Sequence, residues 1–481
     1  MNKRPLLTFG IASITAMMHG CGALNTELSI PNQAIPENFR TQTDTGFQED
    51  SAVAEIDWRS YFSDAQLLAL IDTAIANNLD LKIALQRIEA SRSSVKLANG
   101  AMLPKVALNV GGGVQKFGLY TMDGAGNAST EITPGQIVPE NLTDIGLGLV
   151  SSWEIDIWGK LQNQRNSALS EYLASIEGTH FVISNLVADI AIYYYELLAL
   201  DNELDIIRQT IAKQKEALEV VKLQKKAGKA NALAVQQFNA QLLNTQVLEK
   251  ETLQNIAEIE NKINFLLGRF PQTIQRKKDR LFVKIPRQIS SGLPSELLAN
   301  RPDIREAEHR IEASQFDLKA AKAAFFPNFN ITATLGFQAF NPEFLFSSPA
   351  SLAYSLMGTL VAPLINMNAL KARFNTAKAN QLTAMYDYQK KILNAFVEVS
   401  NELSHIENLQ QINSLKKQQS DVLQQSVEAS NLLYKSAKAN YLEVLNAQQS
   451  ALRSNLELID ITKQTWISTV NIYKALGGGW S

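Results

Sequence analysis

Asn328-Phe329-Asn330-Ile331-Thr332-Ala333-Thr334-Leu335-Gly336-Phe337-Gln338-Ala339 follows Pro327 directly, and at that proline the chain changes its rhythm. Upstream, 295–325 has the pattern of a charged helix broken near 300–302. Downstream, Phe329, Ile331, Ala333, Leu335, Phe337 and Ala339 alternate with polar or small neighbours. Successive side chains of a strand point to opposite faces, so this period of two means one apolar face and one polar face. A return segment shows the same period in Leu352, Tyr354, Leu356, Gly358, Leu360 and Ala362, apart from Met357 and Val361. Earlier in the chain Val106, Leu108, Val110 and Val114, then Ile145, Leu147, Leu149 and Trp153, repeat it. Aromatics such as Tyr120, Trp153, Phe340, Phe346 and Tyr354 stand near the strand ends. A transmembrane β-barrel strand has this pattern, and so does a half-buried hairpin in a soluble sheet. Alternation alone leaves both open.

Outward from these strands the chain is helical. Residues 140–270 contain no proline, and 364–476 contain neither proline nor glycine. These residues cost a helix interior about 3 and 1 kcal/mol, so their absence points to very long helices. Segments 160–227 and 369–437 predict helices that at about 1.5 Å per residue reach roughly 100 Å, more than a soluble core is deep. Turns at Gly228-Lys229-Ala230-Asn231 and Ala437-Lys438-Ala439-Asn440 then lead into second helices ending near Leu267 and Leu476. Leu204, Ile207, Ile211, Leu218 and Val221 keep a three-four spacing with Gln214 in the missing slot, a coiled-coil seam between polar faces. Such a helix suits one stave of a hollow wall.

The two halves are copies. Setting 80–104 against 303–327 pairs Arg87-Ile88-Glu89-Ala90-Ser91 with Arg310-Ile311-Glu312-Ala313-Ser314, and about ten of the 25 positions agree. Further on, Leu267-Gly268 meets Leu476-Gly477, and the first copy carries an extra Gly, Asn and Thr-rich insert, about 116–143. The expected division is a signal segment 1–20, an extended arm 21–60, a first repeat 61–280 and a second repeat 281–481 with a glycine-rich end. Four strands per chain cannot close a membrane barrel, and open strand edges cannot face lipid. Strands that cross a membrane therefore require two, three or four chains, and the residues alone do not choose.

Composition removes other classes. With 45 Lys+Arg against 47 Asp+Glu the chain lacks the basic excess of a nucleic-acid binder. One cysteine excludes an internal disulfide, and His19, His180, His309 and His405 form no metal-ligand spacing, so no metal and no cofactor are expected. No constellation of nucleophile and base suggests an enzyme. Lys3 and Arg4 precede an apolar run at 6–18, too short to span a bilayer, and Gly20-Cys21-Gly22 follows. This predicts export, with Cys21 the lipid attachment site; the alternative is an ordinary signal peptide cut near Gly20 or Gly22.

Taken together, Leu298-Ala299-Asn300-Arg301-Pro302-Asp303 with Ala323-Ala324-Phe325-Phe326-Pro327, Ser152-Trp153-Glu154-Ile155-Asp156 with Trp158-Gly159-Lys160, and Leu476-Gly477-Gly478-Gly479-Trp480 resemble the outer-membrane efflux lipoproteins of the TolC/OprM/NodT type. The resemblance covers nearly the whole chain. It implies a mixed α and β membrane protein: a homotrimer with a 12-stranded transmembrane β-barrel continued by a long periplasmic α-helical barrel. It further implies a passive exit channel in the outer membrane of a Gram-negative bacterium. A periplasmic adaptor protein and an inner-membrane pump of the resistance-nodulation-division class are the implied partners. A duct for one-step protein secretion shares this fold, and an exported coiled-coil scaffold is the reading from a different class.

In that family acidic side chains ring the closed periplasmic end. The matching positions here hold Glu443, Asn446 and Ala439, so only Glu443 can supply a carboxylate ring, which would attract cations; otherwise it solvates an exposed face. The expected adaptor-facing tips are Gly228, Lys229 and Asn231 in the first copy and Ala437, Lys438 and Asn440 in the second. Arg301-Pro302-Asp303 reads as a helix start, and 276–280 as a solvated connector.

Overall fold

The computed structural model describes residues 57–283, 296–365, 367–436 and 438–480. Cys21, the 1–20 segment, most of the 21–60 arm and Ala437 lie outside them. The first half runs α1 (Trp58–Tyr61), α2 (Ala65–Asn77), α3 (Leu79–Ala101), β1 (Lys105–Gln115), α4 (Met122–Ser129), β2 (Glu131–Thr133), β3 (Gln136–Ile137), β4 (Leu142–Ile155), α5 (Lys160–Lys226) and α6 (Ala232–Leu266). The second runs α7 (Glu296–Asn300), α8 (Pro302–Ala323), β5 (Asn328–Ala339), β6 (Leu352–Val361), α9 (Asn368–Lys435) and α10 (Tyr441–Ala475). Helix, two long strands, very long helix and returning helix thus recur in the same order. Two compact units result: one holds Ala90–Tyr172 with His309–Met385, the other 57–89, Leu173–Glu308 and 386–480.

The first unit is built on a four-stranded antiparallel sheet, ordered β1-β4-β5-β6. Its register sorts the side chains as alternation demands. Leu108, Leu149, Leu335 and Tyr354 form one row and Val110, Leu147, Phe337 and Leu352 the next, on one face. Asn109, Gly148, Gly336 and Ala353 form a row on the other face. There Thr334 Oγ1 lies 2.6 Å from Ser355 Oγ, and Gln338 Nε2 donates to Asp144 Oδ1 at 2.8 Å. A Cβ on Gly336 would come within 2.4 Å of Gly148 Cα, so β4 and β5 approach too closely there for any side chain. At the end of the sheet where α3 and α8 arrive, Trp153 Nε1 donates to Met102 O (2.9 Å). Trp158 Nε1 donates to Pro327 O (2.7 Å), its ring stacked on Phe326. The insert at 116–143 is ordered, which composition did not suggest: Thr121 caps α4 despite Gly124 and Gly126.

The second unit buries a core on which α1, α2 and the middle of α5 converge. Ile190, Tyr194, Leu197 and Leu198 of α5 are fully buried with Leu67 and Ile71 of α2, so this apolar stretch of α5 is a core wall. Tyr61 stacks on Tyr473 and Tyr195 on Trp466, while Tyr194 Oη donates to Asp64 Oδ2 at 2.8 Å. Burial pushes the Tyr194, Tyr195 and Tyr473 hydroxyls well up, so all stay neutral.

One clasp occurs in both halves. Gly268 after α6 has φ +64, and a Cβ there would lie 2.6 Å from Asn77 O; Asn78 Nδ2 donates to Leu266 O at 2.9 Å. Gly477 after α10 has φ +99, and a Cβ would lie 2.6 Å from Asn300 O. Glycine is required at both positions, by positive φ and by the backbone pressed against it. In the second half Arg301 completes the joint. Buried, it donates from Nε and Nη2 to both Asp303 oxygens (3.0 Å each) and from Nη1 to Glu398 Oε2 and Ala475 O (2.8 Å each).

Within the basic run at 276–280, Lys277, Asp279 and Arg280 are exposed as in a solvated connector, but Arg276 is an internal clamp. Arg276 bridges Asp201 Oδ2 (2.6 Å) and Glu260 Oε1 (2.5 Å), and Lys278 pairs with Asp205. The connector is thereby tied to α5 and α6.

Arg301→Ala leaves Asp303 and Glu398 without their shared cation and is expected to cost about 3 kcal/mol or more, lowering the thermal midpoint of the detergent-solubilised protein. Arg208→Ala, which breaks a half-exposed pair with Glu249, is expected to leave that midpoint nearly unchanged.

Asp189 on α5 has its pKa raised by burial, against an opposing pull from Lys474. A carboxylate raised on folding destabilises the folded state above both its pKa values, and the penalty vanishes once pH falls below the unfolded value. Asp189→Asn should therefore raise the thermal midpoint at neutral pH and leave it unchanged below about pH 4.

Candidate functional site

The helix ends farthest along the chain from the strands carry the expected site residues. α5 ends at Lys226, and its last carbonyls are closed by Gly228 N to Lys225 O (3.1 Å) and Lys229 N to Gln224 O (2.8 Å). Gly228 sits at φ +71 with open space around it, so its backbone conformation alone selects glycine. Asn231 then caps α6, its Oδ1 accepting from Ala234 N at 2.9 Å. α9 ends with the corresponding bond, Lys438 N to Leu433 O at 2.8 Å, around position 437.

At the start of α10 Asn440 Oδ1 accepts from Glu443 N (3.1 Å), and Asn440 Nδ2 donates to Glu443 Oε1 (3.3 Å). This Asn-x-x-Glu pairing resembles a capping box and gives Glu443 a structural role besides any electrostatic one. Glu443 and Asn446 are exposed and three residues apart, hence on one face of α10; Ala439 is half-buried in the turn. Lys229, Asn231, Lys438 and Asn440 are exposed.

The two tips share one end of the second unit. Tyr434 Oη near the end of α9 donates to Gln224 Oε1 near the end of α5 at 2.6 Å. Tyr441 and Leu445 of α10 pack against the α5–α6 seam. In sequence Tyr434 and Gln224 are ordinary helix-surface residues, and nothing but the repeat alignment brings them near one another.

The two helix pairs differ in what holds them. α5 and α6 bury Ile207, Ile211, Leu218, Val221, Ala234, Phe238 and Leu242 in one apolar cluster, with Gln214 buried in the seam as its spacing predicted. α9 buries no side chain among its described residues beyond Leu409. Polar links hold it instead: Lys416 Nζ to Glu457 Oε2 and Ser420 Oγ to Asn455 Oδ1, both 2.6 Å, besides Tyr434 to Gln224. The second pair is the softer one.

The family model "Outer membrane efflux protein" matches residues 70–269 and 293–478. The chain belongs to that family. It is 27% identical to the probable outer membrane lipoprotein SilC of Salmonella typhimurium, over all of both chains. It is 28% identical to the toluene efflux pump outer membrane protein TtgI of Pseudomonas putida, over 97% of each. A solved structure of CusC, of which Escherichia coli has a form described as a cation efflux system protein, superposes with a TM-score of 0.79. That likeness is at 25% identity and covers 94% of this chain and 99% of that one. The protein is thus an outer-membrane efflux channel with a periplasmic portion, of a family of channels rather than enzymes.

Asn231→Ala and Asn440→Ala each remove a helix cap worth about 1 kcal/mol. Faster amide hydrogen exchange is expected in the first turns of α6 and α10, respectively, with the second-unit core unaffected.

Proposed function

We propose that three copies of the chain close one twelve-stranded pore, three sheets of four strands edge to edge, and continue it through the periplasm as a helical tunnel. The observation that carries this reading is the sheet itself. Among the described residues β1 pairs only with β4 and β6 only with β5, so both edges are open while one face is apolar. Backbone groups facing lipid must be paired, and a neighbouring copy supplies the missing strand. Twelve strands, the number the family resemblance implies, lie within the range of closed membrane barrels. On this reading Cys21 carries the lipid anchor, and the tips at Gly228 to Asn231 and Lys438 to Asn440 meet a periplasmic adaptor. An inner-membrane pump, of the resistance-nodulation-division class, delivers cargo through that adaptor. The roles described for the relatives, cation efflux for CusC and toluene efflux for TtgI, differ widely, which supports a passive duct whose cargo is chosen by the pump.

The soft α9–α10 end is the gate of this duct. Polar links rather than a packed seam tie the far part of α9 to its neighbours, one of them the Tyr434 bond to α5, while α10 rests on the α5–α6 seam through Tyr441 and Leu445; on this reading the three Glu443 carboxylates converge there. A strain lacking the channel should become several-fold more sensitive to the exported compounds and recover when the channel is restored. Unchanged sensitivity, with no pump or adaptor recovered by crosslinking, would sink the efflux reading.

In planar bilayers Tyr434→Phe is expected to raise single-channel conductance or open-state occupancy, because it removes one tie of the gate and no packing volume. Glu443→Gln keeps a side chain able to cap Asn440 and is expected to lower cation preference without changing trimer stability.

A further inference from the structure

The four strands of the sheet hold three charged residues, Lys105, Asp144 and Glu154. By the register all three stand on the face of Asn109 and Gly148, the polar one. Lys105 and Glu154 lie at the end where the helices attach, and Glu154 is paired with Lys160 of α5. Asp144 is the one charge of the sheet at the other end, where β1 and β4 are joined by residues 116–141. The first charges beyond the strands there, Lys116 and Glu140, pair with each other. Around Asp144 the face is bare. Gly113 stands across the ladder from it, Gly146 follows it on β4, and Gly111 is the partner of Gly146. A Cβ on Gly111 or Gly113 would meet nothing within 4 Å, so no contact inside the chain requires glycine at these two positions. Glycine weakens a strand, and here its effect is to clear the space beside a single side chain. The exposed Asp144 carboxylate rises from this floor of backbone, steadied by the Gln338 Nε2 bond to its Oδ1 at 2.8 Å.

We infer that Asp144 makes the exit of the channel prefer cations: its three copies form a carboxylate ring inside the pore at the loop end, separate from Glu443 at the tips. The inference rests on the trimeric pore proposed above, with the polar face turned to water. It does not depend on how the strands of neighbouring copies are aligned, because rotational symmetry sets three copies of any residue at one height. A wall of twelve strands, spaced about 4.8 Å and tilted about 40°, has a radius of roughly 12 Å, so carboxylates pointing inward stand roughly 8 Å from the axis. That is inside the Debye length of about 10 Å at 0.1 M salt, so an ion on the axis feels all three charges. Rings of aspartate or glutamate select cations in this way. Elsewhere the polar face of the strands carries Asn, Thr, Ser, Gln and uncharged residues. At the helix end Lys105 and Lys160 accompany Glu154, so the charges there do not add up to an anionic ring.

The test uses the full-length protein in planar bilayers under a potassium chloride gradient, on the Glu443→Gln background so that a ring at the tips does not mask one at the exit. At about 0.01 M salt, where the Debye length is about 30 Å, the cation-over-anion permeability ratio should stay above unity and fall several-fold towards it when Asp144→Asn is added. At about 1 M, where that length is about 3 Å, the two channels should match. Asp144→Cys, treated in channels already assembled, should regain cation preference with an anionic thiosulfonate and lose it with a cationic one, while the background channel treated alike does not change. Conducting channels whose selectivity ignores both the amide and the thiol modification overturn the exit ring and leave the pore standing. So does a cation preference that Asp123→Asn, Glu131→Gln or Glu343→Gln in the connections removes entirely. Absence of a trimer on unheated gels, or of any conductance from the unsubstituted protein, overturns the pore reading itself and the ring with it.

Discussion

A sheet in lipid must leave no strand edge open, and this chain makes a sheet with two. Every other feature of the first unit answers to that requirement. One face carries rows of Val, Leu, Phe and Tyr, such as hydrocarbon would require, and the other carries Asn, Thr, Ser and Gly, such as water would. The Gly148–Gly336 approach leaves the polar face without side chains where the β4 and β5 backbones come close. Among the described residues the sheet satisfies its own hydrogen bonds between β1 and β6 but not beyond them, so on the reading proposed above folding and assembly would be parts of one equilibrium.

The second unit solves a different problem, how to hold helices of 67 and 68 residues in place. Its answer is the clasp repeated in each half, in which a left-handed glycine after the returning helix presses on the carbonyl where an earlier helix breaks. Without a Cβ the two backbones touch, and the joint is fixed by shape and not by a side chain that could change rotamer. Arg301 adds charge to the second joint, where four hydrogen bonds bind the start of α8, the body of α9 and the last residue of α10 to one guanidinium. Burying that cation is costly, and its partners repay the cost only if all are present. This explains why the run Arg301-Pro302-Asp303 and the glycine-rich ending matter together although they are far apart in sequence.

Much of this was legible because glycine and proline mark boundaries. The expected helices 160–227 and 369–437 were observed as Lys160–Lys226 and Asn368–Lys435, and the strand after Pro327 begins at Asn328. The buried Gln214 was visible as a gap in an otherwise apolar spacing. Other parts were illegible for physical reasons. α4 contains two glycines and forms because Thr121 caps it and the 118–124 turn closes over it, which no propensity reveals. The basic run at 276–280 resembles any solvated connector, and only the fold brings Asp201 and Glu260 to Arg276. Of the candidate site, the Asn440-x-x-Glu443 cap follows local chemistry and could have been read from spacing. The Tyr434–Gln224 tie joins residues whose proximity depends on how two helix ends lie side by side.

The same architecture also explains why the two tips need not behave alike. A seam of seven buried apolar side chains holds α5 to α6, and each of them except Ala234 contributes roughly 1.5–3 kcal/mol when fully buried. Separating that pair would expose all of them together. Three hydrogen-bonded links hold the far part of α9, and each is worth about 0.5–1.5 kcal/mol net, somewhat more where a charge takes part, because water replaces the lost partner. Links of this kind break one at a time, and each intermediate is solvated as it forms. On the gate reading proposed above, a partner with a few kcal/mol of preference for a displaced α9–α10 end would shift the population, with α5–α6 as the fixed post.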